Sequence, residues 1–122
     1  MKKVSSMSER RDSDFLQDIN EAVQRIGIYT EQLTYEGFLQ DTKTQDAVIR
    51  NLEIIGEAAK NISDNLTDNY SHIPWKEMAG LRDKLIHHYF GVNFDIVWNV
   101  IKAELPGIAL QIENILKDEH KK

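Results

Sequence analysis

Apolar residues recur at three- and four-residue intervals through almost the whole chain, the spacing that places them on one face of an α-helix. Phe15, Leu16, Ile19, Val23, Ile26 and Leu33 form a first stripe and predict a helix from about residue 9 to 35. Gly37 breaks the pattern. Thr42-Lys43-Thr44-Gln45 has the form of a capping box, opening a second helix with Val48, Leu52, Ile55, Ala59, Ile62 and Leu66 on its inner face. Ile49, Ile54 and Ala58 widen that face, so this helix is expected at the centre. Asp64 to His72 is polar and reads as a connection.

Pro74 suits a helix start, where its missing N–H costs nothing. A third helix is predicted from about Trp75 to Tyr89, with Met78, Leu81, Leu85 and Ile86 inward. Gly91 is a left-handed stop and Asn93 an N-cap for a fourth helix bearing Phe94, Val97, Val100 and Ile101. Pro106 interrupts that helix, and Ile108, Ala109, Ile112, Ile115 and Leu116 resume the period. The expected fold is all-α, an antiparallel bundle of four or five helices. One domain spans 9–118, between a flexible N-terminus at 1–8 and a polar C-terminal tail at 119–122.

Composition narrows the setting. The 122 residues are 41% hydrophobic and 29% charged, without an apolar run long enough for a membrane span. The first fourteen residues hold only Met1, Val4 and Met7 as apolar positions, and there is no cysteine. A cytoplasmic protein without disulfides is expected, with Met7 an alternative start. Fifteen Lys and Arg against twenty Asp and Glu give a formal charge of −5. That balance disfavours broad coating of nucleic acid and restricts any such site to a small local patch.

The densest chemistry is the run Arg82-Asp83-Lys84-Leu85-Ile86-His87-His88-Tyr89. Arginine clamps phosphate through parallel N–H bonds, and histidine moves protons near neutral pH. Together they suffice to cut a phosphodiester without a metal, and the sequence shows no metal-ligand constellation. On a straight helix Arg82 and Tyr89 fall about 20° apart, and Arg82 and His87 about 140° apart. Such spacing favours a cleft composed by two copies across a two-fold axis. A helix dipole would favour protonated His87 and His88, and Asp83, one turn back, would pair with His87. The same residue types also suit an ordinary solvated helix end.

The wider pattern decides between these. Arg82, His87 after four intervening residues and Tyr89 after one more intervening residue resemble the signature of HEPN-domain toxins. Arg50-Asn51-Leu52-Glu53-Ile54-Ile55-Gly56-Glu57-Ala58-Ala59-Lys60, Ile73-Pro74-Trp75 and Gly80-Leu81-Arg82-Asp83 resemble the HepT (DUF86) branch. Tyr89-Phe90-Gly91-Val92 and Val97-Trp98 extend the likeness over about residues 12–116. The resemblance implies a helical homodimer paired through the motif helix, acting as a metal-independent endoribonuclease with Arg82 and His87 catalytic. It also implies the toxin of a type VII-like toxin–antitoxin pair. The antitoxin would be an MNT-type nucleotidyltransferase that silences the toxin by adenylylating Tyr89. No cofactor is expected. The substrate would be mRNA or tRNA, with His88, Lys84 and Asp83 as substrate contacts.

Other residues are read more plainly. Trp75 and Trp98 belong to the core or an interface, while His72 and His120 are solvated. Arg50, Lys76, Lys84 and Lys102 are candidates for a phosphate-guiding patch. Glu53 and Glu57 share a helix face, either as a solvated stripe or as partners for Arg82 or Lys84. The alternative function is a non-catalytic helical adaptor, or a substrate-binding subunit, for a nucleotidyltransferase.

Overall fold

The computed structural model describes residues 11–87 and 91–120, with the side chains of residues 85–87 and 120 outside that description. Two long antiparallel helices form its base: α1 (Asp12–Thr30) and α3 (Thr42–Asn61). Leu16, Ile19 and Ile26 of α1 and Val48, Leu52 and Ile55 of α3 are almost completely buried where the two apolar stripes meet. The Asp12 carboxylate ties the two ends together by accepting from the Ser63 backbone N–H (2.9 Å) and hydroxyl (2.5 Å). Apolar side chains at such positions each contribute about 1.5–3 kcal/mol through burial.

The first two predicted helices are present, with altered edges. The first helix ends at Thr30, and the chain around Gly37 forms a single-turn helix, α2 (Tyr35–Leu39), capped by Thr34. The capping box at Thr42 shifts back one residue. Asp41 is the N-cap, accepting from the Thr44 N–H (3.0 Å) and hydroxyl (2.7 Å). These bonds to its charged form hold the Asp41 carboxyl below the usual aspartate range. Gln45 instead donates to the Phe38 and Leu39 carbonyls. The polar stretch from Asp64 contains α4 (Asp64–Asn69), capped by the Ser63 hydroxyl.

The largest departure falls in the third helix. In place of one helix over 75–89 there are two short ones, α5 (Trp75–Ala79) and α6 (Leu81–Leu85), hinged at Gly80. A two-residue antiparallel hairpin follows: β1 (Ile86–His87) pairs with β2 (Gly91–Val92), Ile86 opposite Val92 and His87 opposite Gly91. Gly91 has φ +78°, so the left-handed residue read as a helix stop serves a hairpin.

Asn93 caps α7 (Phe94–Asn99) as expected, accepting from the Ile96 N–H at 3.2 Å. Pro106 does not end this helix. A π-helical turn, Val100–Glu104, joins α7 to α8 (Leu105–His120), and the wider winding accommodates the missing proline N–H. The last helix includes Glu119, assigned from sequence to the tail, which accepts from the Tyr70 hydroxyl. The α8 helix packs on α1, while α5 and α6 pack on α3. The fold is all-α apart from the short hairpin. Among the described residues no helix is long and apolar enough to cross a membrane.

Candidate active site

Gly56 lets α5 approach α3 closely. A Cβ there would lie 3.3 Å from the Met78 carbonyl oxygen and 3.5 Å from that of Ala79. Met78, almost fully buried, anchors α5, and the turn at Gly80 then presents α6 along the flank of α3. Arg82 thereby comes beside Glu53. Its Nε donates to Glu53 Oε2 at 3.3 Å, and the side chain stays 67% exposed. Arg50, one turn before Glu53 on α3, places Nη1 4.0 Å from Glu53 Oε1.

The pairing left open in the sequence is thus settled. Glu53 meets Arg82, whereas Glu57 stays within its own helix, beside Lys60 (4.0 Å) and accepting from Asn61. Lys84 meets a different acid, with Nζ 3.7 Å from Glu104 Oε2 in the π turn. Asn99 also donates to that oxygen. Both motif cations are therefore held by carboxylates from elements on either side of α6.

Asp83 is exposed on α6. His87 lies on β1, beyond the helix end, so its expected placement at the last helical turn does not hold. The one-turn relation between Asp83 and His87 falls with it. So does the straight-helix angle between Arg82 and His87, together with the case for a dimeric cleft built on that angle. Leu85 ends α6, and the chain continues as β1. His88 and Tyr89 lie outside the described residues, as does the His87 side chain.

The other candidates separate cleanly. Trp75 donates from Nε1 to the Tyr70 carbonyl (3.0 Å) and packs against the core. Trp98 lies among Phe38 and Tyr35, with Lys102 Nζ 4.8 Å from its ring centre. Lys102 also donates to the Thr30 carbonyl, so it serves the α1–α7 side of the bundle. His72 and Lys76 are exposed, His72 beside the Tyr70 ring. Of the proposed phosphate-guiding cations, Arg50 is the one that shares a carboxylate with Arg82. Sequence reasoning missed Glu104, whose link to Lys84 depends on the π turn. Among the described residues, no group of three or more His, Cys, Asp and Glu is arranged to hold a metal ion.

The chain belongs to the ribonuclease HepT-like family, whose model matches residues 19–115. It is 50% identical over 104 residues to a provisionally named RNase of Methanocaldococcus jannaschii, covering 85% of this chain and 86% of that protein. It is 47% identical over 109 residues to a probable ribonuclease HepT of Thermococcus cleftensis, covering 89% and 99%. Another provisionally named RNase of M. jannaschii is 46% identical over 112 residues, covering 92% and 93%. No solved structure matches the chain significantly.

Proposed function

We propose that the protein is a metal-independent endoribonuclease that cuts RNA by attack of the substrate's own 2′-hydroxyl on the adjacent phosphorus. The new 2′-O–P bond forms as the P–O5′ bond breaks, leaving a 2′,3′-cyclic phosphate and a 5′-hydroxyl. The base accepts the 2′ proton and the acid protonates the departing 5′ oxygen, with His87 serving in this proton transfer. Arg82 stabilises the charge on the pentacoordinate phosphorane. The observation that carries this reading is the exposed Arg82 guanidinium, fixed at one edge by Glu53 on an open surface that a polymer can reach.

In this reading the working form is a cytoplasmic homodimer, as the resemblance to the HEPN signature implies. It is the toxin of a type VII-like pair, and an MNT-type nucleotidyltransferase silences it by adenylylating Tyr89. An AMP group on the tyrosine adds negative charge and bulk where substrate phosphate must pass. Lys84, Asp83 and His88 are substrate contacts in this reading.

The test is RNA cleavage by unmodified protein in the presence of chelator, with intact mass before and after co-expression with the nucleotidyltransferase. Arg82→Ala and His87→Ala abolish cleavage while fold and dimer persist, and AMP on Tyr89 does the same. Full activity in both alanine variants refutes the assignment. The charge of −5 favours a second reading, a non-catalytic adaptor for the nucleotidyltransferase. An unmodified, dimeric protein that leaves RNA intact supports that one.

A further inference from the structure

Arg82 contacts Glu53 through one donor only. The Nε–H points to Oε2, and among the described residues no acceptor engages Nη1 or Nη2. The free edge of the guanidinium is the one that binds phosphate through two parallel hydrogen bonds. A flexible arginine on a five-residue helix, 67% exposed, otherwise samples many rotamers.

Glu53 has the firmer footing. It stands on the 20-residue α3, between buried Leu52 and half-buried Ile54, and its side chain is 33% exposed. Arg50 lies against its other oxygen, one helical turn back. The three residues form a line, Arg50 to Glu53 to Arg82, that runs from a rigid helix to the motif.

We infer that Glu53 is a positioning residue for Arg82: it grips Nε and aims the Nη edge at the scissile phosphate of RNA. This inference rests on the ribonuclease reading above. It opposes the other role such a carboxylate can play, that of an internal anion occupying the place of the phosphate. The two roles differ in sign. A positioning residue raises turnover, whereas a competitor weakens RNA binding.

Steady-state cleavage of a fluorophore-quencher RNA by unmodified full-length protein distinguishes them. Glu53→Ala is expected to lower kcat about 10- to 100-fold, the scale set by loss of orientation at a reacting centre, with KM changed less than about threefold. Glu53→Gln keeps an oxygen that accepts from Nε–H and is expected to recover most of the rate. Thermal unfolding of both variants stays at the wild-type temperature, because an exposed ion pair adds little to stability. The 15N-edited Nε–H resonance of Arg82, assigned through its loss in Arg82→Lys, shifts in Glu53→Ala independently of any activity.

An unchanged kcat in Glu53→Ala overturns the inference, as does a lowered KM with turnover retained. Active wild type and inactive Arg82→Ala alongside a fully active Glu53→Ala remove the inference and leave the ribonuclease reading standing. Wild-type protein that does not cleave, or a fully active Arg82→Ala, removes that reading and the inference together.

Discussion

Replacing Gly56 by alanine tests the packing that presents the candidate site. The substitution gains about 1 kcal/mol of helix propensity, since glycine is a poor helix former. Against this, the new methyl sits 3.3 Å from the Met78 carbonyl oxygen and 3.5 Å from that of Ala79. Both neighbours are backbone, and the Met78 side chain is only 1% exposed, so α5 has little room to retreat. Overpacking of this kind costs about 1–3 kcal/mol. The expected net effect is a loss of about 1 kcal/mol, or roughly 3–6 °C in Tm for a chain of this size. Gly27→Ala is the matched control. It lies in α1 with nothing within 4 Å of a built Cβ, so it keeps the propensity gain and raises Tm. Thermal unfolding followed by far-UV circular dichroism reads both. A Gly56→Ala protein stabilised as much as Gly27→Ala would refute the close approach of α5 to α3.

Two further outcomes follow from other contacts. Asp41→Ala destabilises the protein at neutral pH by removing the α3 cap. The native carboxyl binds its proton more weakly than in the unfolded chain, so its contribution is full above the ordinary aspartate value of about 3.9. That contribution fades as pH falls through the lower native value, and denaturant titrations should show the gap between wild type and variant closing in acid. A double-mutant cycle on Lys84→Ala and Glu104→Ala should give a coupling of at most about 0.5 kcal/mol, reduced by salt, because both side chains are substantially exposed. A coupling above about 2 kcal/mol would show that this pair is far better shielded than its exposure indicates.

The helical class and the core were legible because a 3.6-residue period survives in most contexts. Leu16, Ile19, Val23, Ile26, Val48, Leu52, Ile55, Ile62 and Leu66 are all buried as their spacing predicts. The family resemblance was legible from local blocks. The motif segment was not, because Met78, Leu81, Leu85 and Ile86 satisfy a continuous helix as well as two short ones. Close packing of α5 on Gly56 and the pairing of Ile86 with Val92 decide otherwise, and neither is visible in a local window. Glycine at 91 gave the right backbone conformation in the wrong setting. Glu53 and Glu57 look alike along the chain, and only a partner 29 residues away distinguishes them. Pro106 read as an interruption because its usual penalty assumes α-helical winding, which the π turn replaces.

The five-residue length of α6 bears on when the site comes into being. So short a helix has no independent stability in water. Its ties are remote: Glu53 lies 29 residues before Arg82, and Glu104 lies beyond the hairpin and α7. During synthesis Arg82 leaves the ribosome before the segment that braces its helix from the far side. The nascent chain therefore carries Lys84 before its partner carboxylate exists, whereas the partner of Arg82 has already been made. Order of translation leaves that second tie unmade until the π turn carrying Glu104 has been synthesised.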